Sequence, residues 1–138
     1  MTTHPIYQWI PQRAPFLLIN AVEEVDDSHT VTTFPVRSDC PLVDNGILPL
    51  SGLMENAAQT CAVRAGWTQK QHGETIKKGY IGAVKKMEVT RFPKVGETLC
   101  TEATLLEEVA NISLIECTTR INQEVIATTT LKLATVDE

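Results

Sequence analysis

The sequence predicts one α+β domain, spanning residues 1–138, in which an antiparallel β-sheet wraps around a single long helix. Three observations support this fold class. The chain has 138 residues, 43% of them hydrophobic, which is enough for one core and too few for two. One segment has helical character and is apolar on most of its circumference, which is typical of a buried helix. β-rich segments lie on both sides of it, two before and about four after.

Two strands are expected before the helix. Pro15 disfavours helical backbone at the preceding residue and leads into an extended segment, so we expect a strand at about residues 17–25. Asp26-Asp27-Ser28 has the composition of a turn, and residues 29–36 have the Thr, Val and Phe content of a second strand. Together they predict a hairpin.

The helix is expected to begin at Pro49, which suits a first helical turn, and to end near residue 65, where Gly66 is placed as a C-terminal stop. A polar loop follows. Three β-rich segments then cover residues 79–91, 98–109 and 112–135, and the last is interrupted at Asn122-Gln123. Long segments separated by turn residues are typical of antiparallel strands.

The composition argues against several classes of protein. Twelve Lys and Arg against seventeen Asp and Glu give a formal charge of −5, so the whole molecule has no electrostatic reason to bind nucleic acid. The N-terminus lacks the pattern of a signal peptide, and no apolar run approaches the roughly 18 residues of a membrane span. The four cysteines lie far apart, without metal-ligand spacing. We therefore expect a cytoplasmic protein with no metal site, no membrane partner and reduced, mostly buried thiols.

One region of the chain departs from the acidic average. Residues 64–94 contain eight Lys and Arg but only two Glu, a balance of 8 − 2 = +6, whereas the remainder carries 4 − 15 = −11. These cations are either solvated strand edges and loop tips or a docking face for an acidic partner. The candidates for docking are Lys77, Lys78, Lys85, Lys86, Arg91 and Lys94.

The polar residues of the helix form a stripe, because Ser51, Glu55 and Gln59 are spaced four residues apart. No cation lies three or four positions from Glu55, and burial of an unpaired carboxylate costs several kcal/mol. One interpretation makes Glu55 a general acid or base. The alternative is that it pairs with a distant arginine such as Arg13, or faces solvent at a dimer seam. His4, His29 and His72 are expected at the surface.

Four stretches of the chain resemble the 3-hydroxyacyl-carrier-protein dehydratases of the FabA/FabZ type. IPQRAPFLLI at 10–19 resembles their LPHRxPFLLVD motif, and LPLSGLMENAAQ at 48–59 is similar to MPGVLxxEALAQ, with proline, glutamate and glutamine at the same spacing. Residues 79–92 resemble the strand that crosses the active-site region, and residues 92–99 resemble the turn RPVxPGDxL.

The resemblance implies a hotdog fold that pairs edge to edge, with active sites at the dimer interface. It implies that the substrate arrives on the phosphopantetheine arm of an acidic acyl carrier protein, with no other cofactor. By the same resemblance Glu55 would act on the 3-hydroxyl, and backbone N–H groups around residues 46–52 would polarise the thioester carbonyl.

One departure from the motif is serious. The histidine of the family's loop GHFPGHP would fall at Pro41, and no histidine occurs between residues 30 and 71. The loop and helix look closer to the ApeP-like dehydratases of aryl polyene and related pathways, which resemble GVPxxxGxEYMAQ here and share Gly52. Asp39, Cys40 and Asp44 are the candidates to assist Glu55, and the alternative for each is a role as a turn residue. The candidate substrate-binding residues are Gly46, Ser51, Gly52, Gln59, Cys40 and Asp44.

The leading functional hypothesis is a dehydratase that converts a 3-hydroxyacyl thioester to the trans-2-enoyl thioester in fatty acid or aryl polyene type synthesis. Two alternatives stay open. One is a catalytically weak or inactive hotdog subunit that pairs with an active one, and the other is a hotdog acyl thioesterase. The sequence leaves open whether the chain forms a homodimer or a heterodimer.

Overall fold

A computed structural model of the chain describes residues 6–73 and 78–136. One long helix packs against a six-stranded sheet in which all neighbouring strands run antiparallel, in the order β1-β2-β4-β5-β6-β3. The predicted arrangement of helix and sheet is therefore confirmed. The elements are a short 3-10 helix at Ile6–Gln8, β1 Ala21–Val25, β2 His29–Pro35, α1 Leu50–Gln71, β3 Lys78–Val89, β4 Thr98–Val109, β5 Ile112–Ile121 and β6 Glu124–Val136.

Helix α1 is buried from two sides, as its apolar circumference predicts. On the sheet side, Leu53 packs with residues of β2 and β4, and the small side chains of Ala57 and Cys61 pack against β5 and β6. On the other side, Val63 packs against Trp9 and further apolar residues of the N-terminal segment and β1. The segment that precedes β1 thus closes the face of α1 that the sheet leaves open.

The prediction that Gly66 ends the helix is wrong. The helix continues to Gln71, and a glycine with positive φ (+70°) follows at Gly73. Gly66 lies inside the helix because the chain passes so close that a Cβ atom there would stand 2.1 Å from the carbonyl oxygen of Trp9. A glycine at this position therefore permits close packing rather than helix termination.

The first strand is shorter than predicted, since β1 begins at Ala21 rather than near residue 17. The residues just before it lie against α1 and are bound by helix side chains instead of a strand. The predicted interruption at Asn122-Gln123 is confirmed. These two residues have φ values of 50° and 74° and join β5 to β6, as in a two-residue type I′ hairpin turn.

A charged cluster on the face of the sheet away from α1 joins three strands. His29 of β2 and Arg120 of β5 both contact the carboxylate of Glu102 on β4, the latter at 3.2 Å. The hydrogen bond from His29, with the guanidinium of Arg120 beside it, holds the pKa of Glu102 below its ordinary value. The cluster therefore favours the ionised carboxylate in the folded protein.

Three of the four cysteines are buried and Cys100 is half-buried, as expected. The Sγ atoms of Cys61 and Cys117 lie 3.4 Å apart in the core. This contact, together with burial, raises the pKa of Cys61 well above its ordinary value, so its thiol is a poor nucleophile. Within the described residues, no helix is long and apolar enough to cross a membrane, and no three His, Cys, Asp or Glu side chains come together as metal ligands would.

Replacing Gly66 by alanine is expected to destabilise the fold. The new Cβ would meet a backbone atom that cannot move aside, an overpacking cost of about 3 kcal/mol, and the gain in helix propensity offsets about 1 kcal/mol of it. Thermal unfolding should show a clear fall in Tm. Gly82→Ala is the control, because its Cβ would meet its first neighbour, Lys132 O, at an ordinary 3.5 Å. A Tm unchanged in Gly66→Ala would contradict the close approach.

Glu102→Gln is expected to lower stability most at neutral pH. Because the folded-state pKa of Glu102 is depressed, its contribution is present above the unfolded pKa and is lost as the pH falls through the folded one. Urea unfolding of both proteins from neutral pH to about pH 3 should therefore show converging free energies in acid. Glu116→Gln, on the exposed part of β5, should give a small difference that does not follow this trend.

Candidate functional site

Glu55 lies in the second turn of α1, half-buried, and its carboxylate accepts a hydrogen bond of 3.2 Å from Gln59 Nε2. Arg13 is not its partner. The Arg13 guanidinium donates to the carbonyl oxygens of Ile10 and Gln12, both at 2.9 Å, and stacks over the ring of Tyr7. Among the side chains that the structure describes, no cation pairs with Glu55. The alternative that Glu55 pairs with an arginine such as Arg13 is therefore wrong for the described residues.

Gln59 fixes the carboxylate from behind. Its Nε2 donates to Phe16 O at 3.0 Å as well as to Glu55, and its Oε1 accepts the N–H of Leu18 at 2.7 Å. The side chain is 1% exposed. Gln59 therefore joins the helix to the preceding segment and orients Glu55. Both polar atoms of the Gln59 amide are thus bonded within the chain. The predicted contact of Gln59 with substrate has no support from these bonds and stays a prediction.

The first turn of α1 presents free hydrogen-bond donors beside Glu55. Pro49 at the N-cap offers no side-chain hydrogen bond, and its carbonyl accepts the N–H groups of Gly52 and Leu53. Within the described residues, the N–H groups of Leu50 and Ser51 have no acceptor. Ser51 is exposed and lies one turn, or about 6 Å along the axis, before Glu55. The helix dipole adds partial positive charge here, as a developing oxyanion requires.

A tight turn holds the chain in front of the helix. Asn45 and Gly46 have φ values of 52° and 76°, and Asp44 and Ile47 exchange two backbone hydrogen bonds of 2.9 and 3.0 Å, as in a type I′ turn. The carbonyl oxygen of Gly46 accepts the N–H of Val95 at 2.9 Å. Gly46 and Asp44 are exposed, so their predicted contact with substrate stays a prediction, and both have a turn role.

Gly52 and Cys40 lie behind this surface. Cys40 is 7% exposed and packs in the core with Leu48 and Leu53. Gly52 is buried, and a Cβ atom there would stand 2.2 Å from Leu48 Cδ1. The geometry gives both residues packing roles and lends no support to their predicted contact with substrate.

No histidine of the described chain approaches Glu55. Next to Pro41, where the family's histidine would fall, Leu42 and Val43 pack against the core. His29 lies on the far face of the sheet, and His72 follows the last turn of α1. His72 is 17 residues from Glu55, or about 25 Å along the axis. In the loop that would carry the histidine, the next two residues thus contribute to the packing of the core.

The predicted basic face is partly neutralised. Arg91 forms a bidentate pair with Glu97, at 3.0 and 3.1 Å, and the bonds from its guanidinium hold the pKa of that carboxyl below its ordinary value. Lys86 pairs with Glu88 at 2.9 Å. Lys77 lies outside the described residues, and only the backbone of Lys78 is described. Of the six docking candidates, Lys85 and Lys94 are exposed and form no ion pair with the described residues.

A cavity of about 350 Å³ lies at the opposite end of α1 and contains none of the predicted site residues. Its lining includes Arg64, which is 3% exposed and donates to Asp27 O at 2.8 Å and to Glu108 at 3.2 Å. The unpaired Nε atom of Arg64 is itself buried. This cavity is therefore separate from the surface around Glu55.

The sequence interpretation missed Asn56, which is 1% exposed and lies next to Glu55. Its side chain bonds to Leu18 O and to the hydroxyl of Thr101. An amide on an otherwise apolar helix face was the available signal, since a buried amide needs partners.

Comparison with known proteins gives a consistent answer. The family model described as "ApeP-like: ApeP dehydratase" matches residues 4–138. The 3-hydroxyacyl-[acyl-carrier-protein] dehydratase FabZ of Levilactobacillus brevis is 23% identical over 131 residues, covering 91% of this chain and 86% of that protein. FabZ of Streptococcus pyogenes is 24% identical over 139 residues, covering 97% and 98%. The predicted resemblance is confirmed.

Two solved structures are similar in fold. The dehydratase heterocomplex ApeI:P from Xenorhabdus doucetiae superposes with a TM-score of 0.92 at 22% identity, covering 99% of this chain and 94% of that one. A hypothetical thioesterase from Streptococcus pneumoniae, solved with coenzyme A, gives a TM-score of 0.68 at 12% identity, covering 85% of each chain. The predicted hotdog fold is confirmed.

Proposed function

Since the chain belongs to the family of ApeP-like dehydratases, we propose that it removes water from a 3-hydroxyacyl thioester with Glu55 as its acid–base group. The observation that carries this proposal is the geometry at the start of α1. A half-buried carboxylate, held by Gln59, lies one turn from the free N–H groups of Leu50 and Ser51. A thioester carbonyl bound at these donors would place the adjacent carbons of the acyl chain toward Glu55.

The reaction requires two proton transfers. A base removes the proton from the carbon next to the carbonyl, negative charge grows on the thioester oxygen, and the carbon–oxygen bond to the 3-hydroxyl breaks. The hydroxyl leaves as water after it takes a proton, and the electron pair of the broken C–H bond forms the double bond. Glu55 acts on the hydroxyl, and the N–H groups of Leu50 and Ser51 stabilise the developing oxyanion.

The second acid–base group comes, in this proposal, from a different hotdog subunit. No histidine of the described chain lies near Glu55, and the loop before α1 has Pro41 followed by the half-buried Leu42 and Val43, which pack against the core. In a second copy of the chain the loop before α1 would also lack a histidine, so a homodimer does not supply one at that place. Strand β3 lies at one end of the sheet order, which leaves an edge for pairing. The similar structure from Xenorhabdus doucetiae is a dehydratase heterocomplex, which supports the same kind of assembly.

The substrate is proposed to arrive on the phosphopantetheine of an acidic acyl carrier protein, in fatty acid or aryl polyene type synthesis. Lys85 and Lys94 are exposed and form no ion pair with the described residues, so they are the best placed to attract such a partner of the four candidates whose side chains the structure describes. A cytoplasmic location stays a prediction.

Glu55→Gln is expected to reduce water loss by about 10²–10⁴-fold, because the amide keeps the shape of the side chain but exchanges no proton. The assay incubates the complex purified through a tag on this chain with a 3-hydroxyacyl carrier protein and follows the enoyl thioester by mass. Glu116→Gln, which changes an exposed carboxylate on β5, is the matched control.

The products distinguish the alternatives. Water loss that survives in Glu55→Gln would make Glu55 a structural residue of an inactive subunit whose partner does the chemistry. Free acid and free thiol in place of the enoyl thioester would identify a thioesterase. No reaction by the wild-type complex would contradict the dehydratase proposal itself.

Lys94→Glu is expected to raise KM for the carrier-bound substrate several-fold and to leave kcat nearly unchanged, because it places a negative charge where the acidic carrier docks. The same variant should treat a short pantetheine thioester like wild type. Lys70→Glu makes the same charge change near the other end of α1 and should change neither. Equal effects of Lys94→Glu on both substrates would contradict docking at this surface.

A further inference from the structure

Asn56 is a buried amide next to Glu55, on a helix whose other core-facing residues are mostly small and apolar. A buried amide without hydrogen-bond partners would cost about 1–3 kcal/mol. Its position therefore depends on what it binds.

Both ends of the Asn56 amide are engaged. Its Nδ2 donates to Leu18 O at 2.8 Å, and its Oδ1 accepts from Thr101 Oγ1 at 2.6 Å. Thr101 is fully buried on β4, and its hydroxyl lies 3.3 Å from Thr119 Oγ1 on β5. One side chain thus connects α1 to the segment before β1 and to two strands inside the sheet.

These bonds oppose rotation of the helix about its own axis. Ala57 and Cys61 make apolar contacts with their small side chains. Such contacts resist rotation of the helix less than a directional hydrogen bond does. Neighbouring residues on a helix are about 100° apart, and a rotation of about 20° moves a Cβ atom by roughly 1 Å. The bond between Asn56 and Thr101 therefore helps to hold the direction of the Glu55 carboxylate. The bonds of Gln59 to the segment before β1 and the 2.8 Å contact between the hydroxyls of Thr60 and Thr32 oppose the same rotation.

We propose that Asn56 and Thr101 are positioning residues for Glu55. Their hydrogen bond sets the rotation of α1 about its axis and thereby the position of the Glu55 carboxylate relative to the free N–H groups in the first turn of the helix. The proposal rests on the proposed function of Glu55 and deepens it. Displacement of a catalytic group by about 1 Å can cost about 10²-fold in rate.

The decisive variant is Thr101→Val, which removes the hydroxyl and keeps the shape of the side chain. Thr101→Ser restores the donor. Thr129→Val is the matched control, because Thr129 is also buried in the sheet and donates one hydrogen bond, to Lys86 O at 2.6 Å rather than to the helix. All three are measured in the complex purified through a tag on this chain, with Tm recorded for each.

We expect Thr101→Val to lower kcat about 10- to 100-fold and to leave KM within about twofold, since position rather than binding is lost. Thr101→Ser should recover most of the rate, and Thr129→Val should lower Tm without lowering kcat. A second measurement does not need turnover. The side-chain amide protons of Gln59, observed by NMR, should shift and exchange faster in Thr101→Val but not in Thr129→Val.

The outcomes separate the two proposals. If the wild-type complex removes no water, the proposed function fails, and the Gln59 amide signals alone decide whether Thr101 positions the helix. The positioning proposal is overturned if Thr101→Val leaves the Gln59 signals and any kcat unchanged. It is also overturned if Thr129→Val changes them equally, because the effect would then be general loss of stability.

Discussion

The hydrogen bonds between the side chains of Gln59 and Asn56 and the backbone of residues 16–18 hold an irregular segment of the chain against α1. This segment has left the N-terminal turn and has not yet entered β1, so the strands do not satisfy these backbone groups. Two helix amides take their place, accepting the N–H of Leu18 and donating to the carbonyl oxygens of Phe16 and Leu18. Because buried backbone groups need partners, loss of either amide would release the segment that covers the second face of α1.

The same bonds determine what the site looks like. Gln59 connects residues 16–18 to the Glu55 carboxylate, so one side chain positions both this segment and the proposed acid–base group. Nearer the end of α1, the backbone of Trp9 passes so close to Gly66 that the helix needs a residue without a side chain there. The N-terminal segment packs this closely against α1 only because Gly66 has no side chain, and the same segment is bonded to Gln59, which orients Glu55. These features of the fold are therefore coupled.

The sequence predicts the elements well because local patterns encode them. Strand composition, the Asn122-Gln123 turn and the apolar circumference of the helix are visible in short windows. The errors come from contacts between distant parts of the chain. Gly66 has the local features of a helix stop, and the approach of Trp9 explains why a glycine stands inside the helix instead. The start of the first strand was placed too early because residues 16–18 bind helix amides that lie about forty positions away.

The candidate site shows the same division. The spacing of Ser51, Glu55 and Gln59 identifies the helix face, and the absence of a nearby cation is correct for the described chain. The partner of Arg13 could not be predicted, since it depends on the fold of the N-terminal turn, where the guanidinium finds carbonyl oxygens and the ring of Tyr7. The role of Asn56 was missed because a helical pattern shows which side of the helix a residue faces. It does not show that Thr101 lies on that side and donates a hydrogen bond to the amide.

The loop before α1 explains why a chain of this family would work with a partner. An imidazole that serves as a base must reach the substrate and keep a hydrogen-bond partner for its second nitrogen. Leu42 and Val43 are instead half-buried and pack against the core, and backbone hydrogen bonds join residues 46–48 to residues 93–95. Pro41, where the family's histidine would fall, is exposed, and only the two residues after it contribute to this packing. Under the proposed function, Glu55 acts on the hydroxyl and a neighbouring subunit supplies the base across an interface, which requires no change in the core of this chain.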